Sequence, residues 1–214
     1  MRIDNPDLLF QPWVGKHYGS NSLFKIPILI VGESNYTDDI ERERPHDMFT
    51  CRLIKETIEE PKHRFFSYIQ QTFVENATDK NSRETFWHSV AHHKYIQDWL
   101  PGPRVRPNKD MWKKARPIFR DVVIQLKPKC ILFVGKSVYN HVSLDFANST
   151  PLSIDESNSL TLSAYKKSHP TLLIEDALAS WIYHSAYRPR GGFRGAREIV
   201  SLLVKASGGE TAFS

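Results

Sequence analysis

A three-layer α/β/α fold, with a central, mainly parallel sheet of four strands between helices, is what the sequence predicts. Three observations carry that expectation. Short, nearly continuous apolar runs at residues 26–31, 131–134 and 181–184 end in polar turns, as strands buried on both faces do. The stretches between them repeat apolar residues at helical spacing. Strands that alternate with helices imply a parallel sheet covered on both sides.

Taken in order, residues 1–25 read as an irregular segment with aromatic anchors at Phe10, Trp13, Tyr18 and Phe24. The run 26–31 is the first core strand. From 47 to 74, Phe49, Leu53, Ile54, Ile58, Phe65, Phe66, Ile69 and Phe73 recur at helical intervals, and Pro61 divides the region into two helices. A polar link leads to residues 85–91, Thr85-Phe86-Trp87-His88-Ser89-Val90-Ala91, read as the second strand. Pro101-Gly102-Pro103-Arg104 is a loop. Residues 111–126 form a helix with Trp112, Ile118, Phe119, Val122, Val123 and Leu126 on one side, stopped by Pro128. Residues 131–137 are the third strand and its turn, and a helix starts near Ser137. Residues 160–165 and 171–174 offer small extra strands, 181–184 the last core strand, and 194–204 the closing helix.

The 214 residues fit one domain spanning 1–214, with 1–25 packed on it. The hydrophobic share of 40% and charged share of 25% are those of a soluble globular chain. No apolar run approaches the roughly 20 residues that span a bilayer, and the start of the chain lacks the apolar core of a signal peptide. A cytoplasmic location without membrane contact is expected. The 2 cysteines, Cys51 and Cys130, are too few for a four-cysteine zinc or iron–sulfur site and read as buried free thiols.

A formal charge of +5 favours an anionic partner, and its placement says more. Arg104, Arg106, Lys109, Lys113, Lys114 and Arg116 form one basic stretch. Arg188, Arg190, Arg194 and Arg197 form another, interleaved with Gly191, Gly192, Gly195 and Phe193. Ligands of α/β sheets bind outside the carboxyl ends of the strands. There the first strand delivers Gly32-Glu33-Ser34-Asn35-Tyr36, and the last delivers His184 followed by the arginine–glycine loop. Acid, amide, imidazole and guanidinium groups together suit a polar ring attached to a phosphate chain, which is a nucleotide in DNA.

These segments resemble the uracil-DNA glycosylase superfamily. Its first motif, of the type Gly-Glu-Ala-Pro or Gly-Gln-Asp-Pro-Tyr, is similar to Gly32-Glu33-Ser34-Asn35-Tyr36, and its His-Pro-Ser motif is similar to His184-Ser185-Ala186-Tyr187. Phe86-Trp87-His88-Ser89-Val90 resembles the family's middle strand. Leu126-Lys127-Pro128-Lys129, running into residues 130–135, resembles its segment of lysine-proline, apolar strand and glycine. The likeness covers residues 26–204. There are departures. Ser34 stands where one branch has its water-activating aspartate, His88 where a base-reading asparagine is usual, and Ser185 where the second motif has proline. The clustered cysteines of some branches are absent.

The resemblance implies a DNA glycosylase that flips a nucleotide out of the stack, hydrolyses its N-glycosidic bond with water and leaves an abasic site, acting as a monofunctional enzyme. His184 would face the departing base, donating an N–H where negative charge develops; otherwise it is a core histidine. Glu33 would activate water or stabilise the sugar cation, or else brace its own loop. Asp38 and Asp39 are runners-up for the water. Gly32, Ser34, Asn35, Tyr36 and His88 would form the base pocket, with Tyr36 as a wall or a plain core aromatic. His88, His92 and His93 also invite a metal reading, which lacks the glutamate of a zincin motif. Lys136, Ser137, Tyr187, Arg188, Arg190, Gly191, Gly192, Phe193 and Arg194 are the DNA-contact candidates. Their glycines let the backbone approach phosphate, a helix start near Phe193 adds its positive end, and Tyr187 or Phe193 would fill the gap left by the flipped base. No cofactor or metal is implied, the partner is DNA, and the working unit is a monomer. The expected target is uracil or, as the altered reading positions suggest, another pyrimidine such as a bulky modified base of phage DNA. The rival readings are a catalytically inactive DNA-binding module of the same fold and an enzyme acting on free nucleosides or nucleotides.

Overall fold

A computed structural model describes residues 1–36, 47–74, 79–146, 154–155, 159–162, 167–185 and 192–212. The strands are β1 (Trp13–Val14), β2 (Ile28–Gly32), β3 (Asn35–Tyr36), β4 (Ala91–Lys94), β5 (Trp99–Leu100), β6 (Cys130–Val134), β7 (Ile154–Asp155), β8 (Ser159–Leu162), β9 (Lys167–Pro170), β10 (Leu172–Ile174) and β11 (Ala177–Ile182). The helices are α1 (Phe49–Glu59), α2 (Arg64–Phe73), α3 (Lys80–Ser89), α4 (Lys109–Leu126), α5 (Lys136–Phe146) and α6 (Gly192–Ala206).

The main sheet is mixed and seven-stranded, in the order β1-β4-β2-β6-β11-β10-β7, which corrects the expected four strands. β4, β2, β6 and β11 run parallel to one another. β1 joins one edge antiparallel, and β10 and β7 extend the other. The β10–β11 hairpin closes through Glu175-Asp176 between the paired residues Ile174 and Ala177, with Glu175 at φ 51°. A two-residue hairpin turn needs such a positive φ. Two small pairs, β3 with β5 and β8 with β9, stand outside the main sheet.

Alternation along the strands divides the core in two. Leu29 and Val31 of β2 and Ile131 and Phe133 of β6 join Ile118, Phe119, Val122 and Val123 of α4 and Val138 and Val142 of α5 in one cluster. Ile28, Ile30, Leu132 and Val134 face the other way. They meet Ile54 and Ile58 of α1, Phe66, Ile69 and Phe73 of α2, Phe86 and Trp87 of α3, and Ile199 and Leu203 of α6. Burying each large side chain of this kind contributes about 1.5–3 kcal/mol.

The second strand needs the largest correction. Residues 80–89 are helix α3, begun by Asp79, whose side chain accepts from the Ser82 N–H at 2.9 Å. The strand follows it as Ala91-His92-His93-Lys94, all four buried. Phe86 and Trp87 owe their burial to the apolar face of a helix. The buried Arg83 of α3 donates to the carbonyls of Ile58 and Glu59, both at 2.9 Å, at the otherwise unpaired C-terminal end of α1. The last core strand is also displaced, since β11 ends at Ile182 and leaves His184 in the segment beyond it. No helix of the described residues is long and apolar enough to cross a membrane.

Candidate active site

Parallel strands deliver everything that follows them to one end of the sheet. Gly32 and Lys94 are in register as the last paired residues of β2 and β4. The pairing continues past the strands, with Tyr95 N–H donating to Gly32 O at 2.9 Å and Ile96 N–H to Glu33 O at 2.8 Å. Glu33 is thereby held beside the end of β4. His184 arrives from β11, two strands from β2.

Strand alternation sends Lys94 to the α2 face, and its Nζ lies 4.2 Å from the Phe65 ring centroid and 5.6 Å from that of Phe66. His184 stacks on the same Phe65, with centroids 5.1 Å apart and planes at 29°. Gly32 makes the packing possible. A Cβ there would lie 3.2 Å from both Lys94 Nζ and Phe65 Cζ. Across the mouth, Arg106 Nη1 approaches Glu33 Oε1 to 3.6 Å, with the Glu33 side chain 18% exposed and that of Arg106 63%. The first basic stretch thus supplies a cation to the carboxylate.

The electrostatics follow from burial. Lys94, only 7% exposed, is pushed down to about 7 by desolvation, opposed by the charge of Glu33. His184 is pushed down to about 4, first by burial and then by the positive charges of Lys94 and Arg106. At neutral pH its imidazole is uncharged and carries one N–H donor and one acceptor. A neutral imidazole and a partly neutral amine therefore share one aromatic ring, with the Glu33 carboxylate acting on the amine. Such a set can polarise a leaving group, orient water and attack a carbonyl.

The other sequence candidates divide. Ser34 is half-buried in the same turn, and Tyr36 is 53% exposed, on the surface and outside any core. Asn35 is buried, and its Nδ2 donates to Thr50 Oγ1 of α1 at 3.4 Å, so the amide braces the turn. His88 is corrected out of the pocket. It sits at the end of α3, ahead of β4, whereas Glu33 follows the parallel β2, so the two lie at opposite ends of the sheet. Its ring packs 5.3 Å from that of Trp13, and its Nδ1 accepts from Lys16 N–H at 3.4 Å. Alternation also separates the histidines of the metal reading. His92 packs on Phe66 at 5.3 Å, and His93 stacks over Phe119 at 6.2 Å on the other face. Among the described residues no three potential metal ligands converge.

At the rim, exposed Lys136 opens α5 with its Nζ 5.5 Å from the Trp181 ring. The Ser137 carbonyl is bonded to His141 Nδ1 at 2.9 Å. Gly192 begins α6. Phe193 is 41% exposed and packs on Tyr68 at 5.3 Å, and Arg194 is exposed beside it. Tyr68 Oη donates to the Tyr183 carbonyl at 3.1 Å, drawing the 45%-exposed Tyr183 into the same aromatic rim. Asp38, Asp39, Tyr187, Arg188, Arg190 and Gly191 lie outside the described residues. Lys94 and Phe65 are the site residues that sequence reading missed. Phe65 carries no signal apart from helical periodicity. For Lys94 the clue was a lysine between Val90-Ala91 and Tyr95-Ile96, apolar pairs that a strand would bury.

No family model matches the sequence, and no curated protein matches it.

Proposed function

We propose that this protein is a DNA glycosylase that hydrolyses the N-glycosidic bond of a flipped uracil or modified pyrimidine and leaves an abasic site. The observation that carries this reading is that Glu33 and His184, which follow parallel strands β2 and β11 at their carboxyl ends, are both placed about the buried Lys94, whose Phe65 seat His184 shares. A three-layer α/β/α arrangement around the four parallel strands, of the uracil-DNA glycosylase kind, agrees with it. So does a rim of exposed Tyr36, Tyr183 and Phe193, because aromatic side chains stack on unpaired bases. Lys136 and Arg194 supply cations for the backbone.

In this mechanism the base enters beside Phe65 and His184. The neutral His184 N–H stabilises the oxygen that gains charge as the base departs, which is why an uncharged imidazole serves here. Glu33, steadied by Arg106, faces the sugar as it becomes cationic and accepts a proton from the attacking water. Lys94 adds positive charge near the departing anion.

The test is release of free base from oligonucleotides bearing uracil, hypoxanthine, cytosine, hydroxymethylcytosine or glucosylated hydroxymethylcytosine, single- and double-stranded, with alkali to reveal abasic sites. Cleavage of one member supports the reading and names the base. DNA binding without release from any member favours the inactive binding module, and release only from free nucleosides favours an enzyme of monomeric substrates.

A further inference from the structure

Water-driven hydrolysis leaves Lys94 with less to do than its position demands. A buried lysine is costly unless it is paired. Among the described residues no carboxylate oxygen forms a salt bridge with it, and its neighbours are the rings of Phe65 and Phe66. The bare Gly32 opposite it in register leaves room for its amine. Glu33 lies at the end of the adjacent strand, and His184 shares the Phe65 ring. An amine in an apolar wall, with a carboxylate base beside it, is the arrangement that imine chemistry needs.

We infer that Lys94 is an imine-forming nucleophile acting on the aldehyde of the abasic sugar, an inference that rests on the glycosylase reading. The ring-opened sugar presents a carbonyl at C1′. The neutral Lys94 Nζ adds to that carbon, a proton passes from nitrogen to the carbonyl oxygen, and a second proton taken from solvent lets that hydroxyl leave as water to give a protonated imine. Glu33 then takes a proton from C2′. The electron pair released forms the C2′–C3′ double bond and expels the 3′ phosphate, cutting the strand on that side. Water hydrolyses the imine, returning the lysine amine and an unsaturated aldehyde on the 5′ fragment. No oxidant or reductant is consumed. Burial supplies the neutral amine near neutral pH, with Glu33 as the opposing charge and His92, His184 and Arg106 among the other ionisable groups around it. Lys136, though its Nζ lies 5.5 Å from the Trp181 ring, is exposed and so lacks this burial.

The experiment mixes the full chain with an oligonucleotide carrying one abasic site and adds borohydride, which reduces any imine to a permanent protein–DNA bond. The expected result is a covalent adduct whose modified peptide maps to Lys94 by mass spectrometry. Its yield should fall at least about 10-fold in Lys94→Arg and Lys94→Gln. No adduct, or an adduct mapped to another amine, overturns the inference. Mapping on the unaltered protein keeps this outcome decisive even where a variant folds poorly. Base release from the panel without any adduct leaves excision standing and removes the nucleophile; an adduct without base release does the reverse.

Discussion

Lys94 Nζ lies 4.2 Å from the centre of the Phe65 ring, and His184 stacks against that same ring. The contact joins a strand end to the first turn of a helix, and a side chain at Gly32 would crowd both partners at 3.2 Å. A cation–π contact contributes about 0.5–2 kcal/mol, less than the desolvation of an ammonium costs. The lysine is therefore a burden on the fold.

That burden has a measurable pH signature. Burial holds Lys94 near 7 in the folded chain against an ordinary 10.5. Between those values the unfolded chain binds the proton that the folded chain has released, so the lysine's contribution to stability improves as pH rises through the window. Below it the penalty is complete. Lys94→Met is expected to stabilise the protein by about 1–3 kcal/mol at pH 7 and by progressively less toward pH 10. Urea melts across that range check it, and a destabilised Met variant would contradict it.

His93 shows the same logic at acid pH. Its ring is fully buried against Phe119, and desolvation pushes it from 6.5 down to about 3. Its folded value is depressed, so the stability is present above 6.5 and is lost as pH falls toward 3. Phe119 faces it, the charge of the neighbouring Lys94 adds to the shift, and His92 on the opposite face is depressed first by the same burial. His93→Leu is expected to flatten the acid limb of a stability–pH profile. An unchanged acid midpoint and slope would show that the ring is not buried.

Gly32→Ala tests the packing. A methyl group there meets Lys94 Nζ and Phe65 Cζ at 3.2 Å, so both must move by a few tenths of an ångström. Catalytic geometry is sensitive to such shifts, and base release is expected to fall by about 10–100-fold. Thermal melting should change little, because the displaced lysine end is flexible. Full activity in the variant would mean that the Phe65–Lys94 contact plays no part.

DNA affinity should be salt-sensitive, with exposed Lys136 and Arg194 among the cations responsible. Removing either is expected to weaken binding on every sequence and to reduce the slope of log K against log salt by about one. A salt-independent Kd, or slopes unchanged in both variants, would remove this rim as the backbone contact.

The parts of the fold legible in the sequence are those where hydrophobic pattern and burial coincide. β2, β6 and β11 are apolar runs flanked by turn residues, and the split at Pro61 reappears as the gap between α1 and α2. β4 was illegible for the opposite reason. A strand spelled Ala-His-His-Lys buries polar side chains, so its alternation carries no hydrophobic signal, while Phe86 and Trp87 just before it mimic a strand. The Asp79 cap with Ser82 three residues on was the cue for a helix at that point. The pocket residues shift with the strand. His88 closes helix α3, and Lys94 occupies the strand end instead. Glu33 and His184 were legible because each follows a well-marked strand; Arg106 was visible only as one of a basic stretch, since its partner is set by tertiary structure.

The most direct measurement is single-turnover release of free base from the preferred oligonucleotide by the unaltered protein, Glu33→Gln and His184→Ala, with DNA binding measured on the same samples. Base excision at this centre requires that each substitution abolish release while binding stays within a few-fold of the original. Release retained in both variants would contradict it.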